Sequence, residues 1–286
     1  MEKFQTFIKL TRLDKPIGIF LLFWPCVWGI TLGYYFNTDT NLYLKYIILF
    51  FLGSILMRSA GCIFNDIVDR NLDKKVLRTK ERPIASGKIT VLTAFIYIFV
   101  LCLIALFILL QFNWLTITLG AGSMILAFAY PFMKRITYWP QLFLGLTFNW
   151  GIIMGWTAIT NSMSIEPLVL YLAAIFWTLG YDTIYGLQDV SDDEVIGVKS
   201  TSMKFKNNVK VFVGACYSLC VVFILILCLI MEIDKYILAL SVFFISSFIY
   251  QLKIFKIDSP ESCLTAFKAN NFTCIFIFVF IFSFIL

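Results

Sequence analysis

Long apolar runs separated by short charged segments dominate this chain. Runs of about 17 to 25 residues fall near 17–36, 44–64, 90–111, 114–132, 139–160, 166–187, 210–231, 235–252 and 266–286, each long enough to cross a bilayer as a helix. The pattern predicts an all-α membrane protein of about nine transmembrane helices. The last run is the weakest, because Lys268, Asn270 and Asn271 lie near its start. Ahead of the first run, Phe4, Phe7, Ile8 and Leu10 are set against Lys3, Lys9 and Arg12, which predicts an amphipathic helix over 1–15 lying in the membrane interface. That start is expected to be neither a signal peptide nor a transit peptide. Residues 1–286 read as a single integral-membrane domain.

The placement of charge orients the helices. Of the 23 Lys and Arg residues, twenty fall before the first run or in the even-numbered loops. Lys45 and Lys235 fall on the other side, and Arg58 is left inside a run. By the positive-inside rule the amino terminus and the even loops are cytoplasmic, and the expected location is a bacterial inner membrane. Topology therefore accounts for the net charge of +6, and no nucleic-acid partner is implied.

Composition narrows the chemistry. The charged fraction is 14%, about half the usual globular share, so the body belongs in lipid. There is no histidine, which excludes His-based acid–base catalysis and His-ligated zinc or haem. The eight cysteines lie mostly within apolar runs without a CxxC pair and read as small packing residues.

Two acidic clusters break the apolar pattern. "NDIVDRNLD" (65–73) ends the second run, and on a helix Asn65, Asp69 and Asp73 share one face at i, i+4 and i+8. Asp66 points about 100° away and reads as a helix-end or supporting carboxylate. "YDTIYGLQDVSDDE" (181–194) ends the sixth run, where Asp189 and Asp193 repeat the four-residue spacing. One such pair is commonly a solvated charge run. Two at the same membrane depth, each beside several basic residues, describe something more specific. Oxygen ligands without His or Cys suit Mg2+, which is usually held by one or two carboxylates together with substrate phosphates. Facing carboxylate pairs thus predict a diphosphate clamp, and a phosphorylated substrate that also needs a hydrocarbon chamber is a prenyl diphosphate.

At these residues the chain resembles the UbiA superfamily of intramembrane aromatic prenyltransferases, and within it the 4-hydroxybenzoate polyprenyltransferases of ubiquinone synthesis. The resemblance runs through "RLDKPIGIFLLFWPCVWG", "LMRSAGCIFNDIVDRNLD", "RPIASG", "YPFMKRITYWPQLFLGLTFNWG" and "YDTIYGLQDVSDDEVIGVKST", and fades beyond about residue 205. It implies nine helices around a central cavity that opens sideways to lipid, capped on the cytoplasmic side by two Asp-rich loops. It also implies Mg2+-dependent transfer of a polyprenyl group from its diphosphate to 4-hydroxybenzoate, ortho to the hydroxyl. Other acceptors within the superfamily, such as a naphthoate, homogentisate, a porphyrin or a glycerol phosphate, stay open. A secondary transporter fits poorly, because the acids gather at one interface and the two clusters run parallel.

The expected roles follow. Asn65, Asp69 and Asp73 hold one Mg2+, and Asp189 with Asp193 the other. Arg135, with Lys134, contacts the diphosphate or the substrate carboxylate, or is simply a positive-inside pair. Arg78 and Arg82 are further diphosphate candidates. Arg58 lies two helical turns, about 10 Å, below Asn65 on the same face. A charge so deep must be paired or line a cavity. It either binds the benzoate carboxylate or links helices through Asp182 or backbone carbonyls. Arg12 and Lys15 stand near that pocket or anchor the interface. Tyr181, Asp182 and Tyr185 lie one to two turns below Asp189, where Asp182 and Tyr185 can orient the phenol or accept a proton.

Overall fold

The computed structural model describes residues 2–286, and every regular element among them is helical. Nine helical units are long and apolar enough to cross a membrane. A short helix, α1 (Glu2–Thr11), precedes them. The spans are α2 (Ile17–Tyr34), α3 (Thr40–Asp73), α4 (Val91–Leu109), α5 (Trp114–Ile136), the pair α6 (Pro140–Phe148) and α7 (Trp150–Thr160), and α8 (Ile165–Gly186). From α8 the chain passes through one 3-10 turn, Leu187–Asp189, into α9 (Val190–Ile196). After a single turn, α10 (Thr201–Lys204), come α11 (Val209–Ile230), the pair α12 (Lys235–Leu238) and α13 (Ser241–Ile254), and the pair α14 (Pro260–Lys268) and α15 (Asn270–Phe282).

The second span is longer than its apolar run, and the fifth, sixth, eighth and ninth are each broken into more than one helix. The helix carrying "NDIVDRNLD" runs unbroken from Thr40, capped by Asp39, to Asp73, so this acidic motif occupies helical turns rather than a loop. The second acidic motif lies on the 3-10 turn and α9. The expected cap of Asp-rich loops is thus built from helix ends, and the true loop, 74–90, contributes arginines. The fifth span breaks at Asn149, whose buried side-chain amide donates to Gly145 O at 2.8 Å, Ala174 O at 3.1 Å and Thr178 Oγ1 at 2.8 Å. Spending that amide on a neighbouring helix offsets the interrupted backbone ladder. The ninth span begins at Pro260, earlier than the apolar run suggests, and breaks around Ala269.

The helices approach closely where the sequence is small. A Cβ at Gly29 of α2 would stand 2.0 Å from Ile152 O of α7, and one at Gly155 would stand 2.5 Å from Cys26 O. Backbones can meet at that distance only without side chains between them, which is how helices associate in lipid. The core continues through Trp28 and Trp177, with ring centroids 5.2 Å apart, and Tyr217 stacked on Phe248 at 4.4 Å. A buried polar network ties the carboxyl-terminal spans to α8 and α11. Trp177 Nε1 donates to Asn270 Oδ1 at 2.8 Å, Tyr217 Oη to Gln251 Oε1 at 2.6 Å, and Gln251 Nε2 to Thr273 Oγ1 at 3.0 Å. All eight cysteines are free.

α1 is docked on the bundle. Its Leu10 is fully buried with Ile63 of α3 and Ala94 of α4, while Phe4 stays exposed. Arg12 then turns the chain with φ +59°, a left-handed conformation uncommon for arginine, and its guanidinium donates to Asp66 Oδ1 at 2.7 Å.

Candidate active site

A cavity of about 1370 Å³ lies between α2, α3, α5, α7 and α8, with α4 and α15 at its margins. Its inner part is apolar, lined by residues such as Phe50, Ala105, Leu109 and Met124. Its mouth is polar, and Arg58, Asn65, Arg78, Arg82, Asp182 and Tyr185 all reach it.

The two acidic clusters stand behind that mouth and hold its arginines in place. Along α3 the buried acids are Asp66, Asp69 and Asp73, with Asn65 only half-buried, so the enclosed stripe is one position removed from the expected one. Arg82 Nη1 donates to both Asp73 oxygens, at 3.0 and 2.9 Å, and to Asp66 Oδ1 at 3.2 Å. Asp66 is held by Arg12 and Arg82 together. Lys134 from the end of α5 pairs with Asp69, and Arg135 stands 3.8 Å from Asp69 Oδ1. Across the mouth, Arg78 grips Asp189 with two bonds, Nε to Oδ1 at 2.7 Å and Nη2 to Oδ2 at 2.5 Å. Burial works against the Arg78 charge, but its bonds to Asp189 and the nearby Tyr185 outweigh burial and raise its pKa above the ordinary arginine value. Asp193 lies within the electrostatic reach of Asp189, Lys134 and Arg78. Arg78 and Arg82 both belong to the loop after α3, so that loop links the two acidic clusters.

α9 is fixed by its ending. Gly197, with φ +77°, lets its own N–H and that of Val198 bond back to Asp193 O at 2.9 and 3.1 Å. Lys199 N then donates to Lys134 O at 2.9 Å, which joins the second acidic segment to the end of α5.

Of the expected metal ligands only Asn65 lines the cavity; Asp69, Asp73, Asp189 and Asp193 stand behind its basic residues, and two expected cations lie further out. Lys134 and Arg135 do not line the cavity; both border a separate groove, and Arg135 Nη2 donates to Val68 O at 2.5 Å. The positive-inside side of their reading therefore carries more weight than direct substrate contact.

Deeper, Arg58 makes no ion pair among the described residues, and its Nε is buried without a hydrogen-bond partner. Its guanidinium carbon sits 5.3 Å from the Phe148 ring centroid, and it shares the cavity with Tyr181, Asp182 and Tyr185. Arg58 and Asp182 interact through charge across the cavity they both line, without a hydrogen bond or ion pair between them among the described residues. Gly18 makes room for Arg58, since a Cβ there would meet Arg58 Nε at 2.6 Å.

Sequence reasoning passed over Lys268 and Asn271, which line the cavity from the last span; Asn271 Oδ1 is buried without a partner. The available signal was the polar run "KANN" at the head of an apolar helix, since polar groups inside a span mark functional positions.

Among the described residues no three His, Cys, Asp or Glu side chains converge as a ready-made metal site. The donors still fit Mg2+. They are all oxygen ligands, Asp69 keeps its buried Oδ1 without a hydrogen bond, and a divalent ion of this type takes much of its coordination from phosphate and water.

Fold and cavity define an all-helical integral membrane protein with a charged mouth above an apolar chamber. The family model described as "UbiA prenyltransferase family" matches residues 22–282, and the chain belongs to that family. The mitochondrial 4-hydroxybenzoate polyprenyltransferase of Arabidopsis thaliana is 49% identical over 212 residues, covering 74% of this chain and 52% of that protein. The mitochondrial protein of the same name from Caenorhabditis elegans is 42% identical over 277 residues, covering 96% and 77%. Against the first relatives matched, the chain spans about half their length. Among solved structures, a UbiA homolog from Aeropyrum pernix superposes with a TM-score of 0.76 at 22% identity, over 92% of this chain and 97% of that one. A UbiA homolog from Archaeoglobus fulgidus bound to GPP and Mg2+ gives 0.74 at 20% identity, over 98% and 99%. Both carry the fold.

Proposed function

We propose that the protein transfers a polyprenyl group from polyprenyl diphosphate to 4-hydroxybenzoate, ortho to the hydroxyl, in ubiquinone synthesis, releasing diphosphate. The observation that carries this reading is one cavity that joins a mouth lined by Arg58, Arg78 and Arg82, the last two held by aspartates behind them, to an apolar chamber, with Arg58 Nε buried and unpartnered. The relatives named 4-hydroxybenzoate polyprenyltransferase support the choice of acceptor.

Arg78 and Arg82 present guanidinium groups at the mouth, where a diphosphate would lie. Asn65, Asp69, Asp73, Asp189 and Asp193 would hold Mg2+, which when bound neutralises the charge that builds on the leaving diphosphate. The apolar chamber takes the prenyl tail and keeps water from the allylic carbon. Arg58 pairs with the acceptor carboxylate, which fixes the ring beside Tyr185 and Asp182. The allylic C–O bond breaks with its electron pair leaving on diphosphate, and the ring carbon ortho to the hydroxyl forms the new bond. An Asp182 oxygen accepts the proton lost from that ring carbon.

The relatives are named as mitochondrial, which lends nothing to the expected bacterial inner membrane. The proposal keeps the orientation, with the amino terminus and the acidic mouth on the side of the basic loops.

Purified protein in vesicles, supplied with labelled polyprenyl diphosphate, 4-hydroxybenzoate and Mg2+, should form the prenylated acid. EDTA should silence it and added Mg2+ restore it; turnover that persists in EDTA would sink the reading.

A further inference from the structure

A second groove, of about 660 Å³, lies on the outer flank of the mouth, between the end of α3, the start of α4, the end of α5 and the end of α9. It shares no lining residue with the large cavity. We propose that this groove binds the phosphate of an anionic phospholipid headgroup.

Its charge is one-sided. Arg70, Lys134 and Arg135 border it, and no carboxylate does. Lys134 and Arg135 also reach Asp69, which lies outside the groove, so Arg70 is the cation that sets it apart from the mouth, where Arg78 and Arg82 are both paired with aspartates. Arg70 is exposed and makes no hydrogen bond or ion pair among the described residues. It sits at the exposed edge of the acidic face of α3, one turn from Asp66 and from Asp73. Arg135 spends one nitrogen on Val68 O, and Lys134 is shared with Asp69. The groove therefore offers one wholly unpaired guanidinium and two further cations held in place. α4 also begins there, and the positive end of its dipole favours the same charge.

The walls identify the occupant as an amphiphile. Ile67, Val91, Phe95 and Ile196 line the groove beside the basic residues. Phe95 continues into the outward face of α4, where Leu92, Ile96 and Phe99 are exposed. A soluble anion would satisfy the cations and leave these walls wet. A phospholipid satisfies both, with its phosphate on the arginines and its acyl chains along α4. Basic pockets between membrane helices on the positively charged side suit such headgroups, because the anionic lipid concentrates there. The prenyl diphosphate is not the occupant, since its chain needs the inner chamber and the two spaces do not join.

The test is lipid retention, which does not depend on the prenyl-transfer reading. The full-length protein is reconstituted in vesicles of phosphatidylcholine and phosphatidylglycerol in equal parts, re-extracted, and its retained lipids are identified by mass spectrometry. The wild type should retain phosphatidylglycerol in excess over phosphatidylcholine. Arg70→Gln should cut that excess by about threefold or more, and Arg70→Lys should restore most of it. Asn71→Glu, which adds a carboxylate at the exposed rim without touching any basic residue, should lower retention as Arg70→Gln does. Wild-type retention in either variant overturns the proposal. So does displacement of the lipid by inorganic phosphate at about ten millimolar, because the site would then be one for a soluble anion.

Discussion

At Arg58 the chain keeps a guanidinium inside the bundle, with Nε unpartnered and Phe148 beside it. Leaving such a charge unpaired is costly, so a carboxylate arriving there gains a charge-assisted contact of about 1.5 to 3 kcal/mol. Arg58→Ala should raise the KM for 4-hydroxybenzoate on the order of tenfold to a hundredfold and leave that for the diphosphate nearly unchanged. The variant should also lose the wild type's preference for the benzoate over a phenol lacking the carboxylate. Side-by-side kinetics on folded protein check both points, and an unchanged preference would move the carboxylate site elsewhere. Gly18→Ala should shift the same KM in the same direction without unfolding the protein, because the clash falls on the movable end of a side chain. Much at this scale could be read beforehand. Asn65, Asp69, Asp73 and Asp189 announced themselves by spacing, and Arg58 by being charged within an apolar run. The pairing was not legible. Which base meets which acid depends on loop 74–90 folding back across the mouth, and no helical period encodes that.

Among elements, α2 and α7 form the tightest pair, and small residues make it possible. Gly29→Ala would drive a Cβ into the Ile152 carbonyl, and a backbone oxygen cannot swing aside. It should cost about 1–3 kcal/mol or more, read as a lower Tm in detergent. Gly122→Ala, where a Cβ meets nothing within 4 Å, is the control and should leave Tm unchanged or slightly higher. Equal loss in the two variants would deny the close-contact account. The number and order of spans followed from run length alone. The breaks at Asn149 and Ala269 did not, because an Asn within an apolar run can bond its own helix or its neighbour's carbonyl with the same sequence. The helical spacing of Asn65, Asp69 and Asp73 already placed them on one helix, and α3 does run to Asp73; what charge concealed was that Arg12, Arg82 and Lys134 pair with its acids there.

Across the whole molecule, α8 is the most enclosed span, while α4 and α5, which both contribute to the chamber wall, are largely exposed. On the proposed function, a long prenyl tail is expected to leave by the α4–α5 flank. Ala105→Trp, which fills the chamber on the α4 side, should slow transfer from a long polyprenyl diphosphate on the order of tenfold and leave geranyl diphosphate within about twofold. A uniform loss for both donors would argue that the tail lies elsewhere. The carboxyl-terminal third offered no motif, yet it lines the cavity with Lys268 and Asn271 and carries all of the buried polar network described above except Trp177. That network bears on biogenesis. As the chain is inserted, α8 and α11 enter the lipid with the Trp177 N–H and the Tyr217 O–H still seeking acceptors. Those acceptors, Asn270 and Gln251, are synthesised last. The final hairpin therefore works as a latch, and a nascent chain that stalls before it carries two open donors in the bilayer, a mark by which membrane chaperones and proteases can tell an unfinished molecule from a completed one.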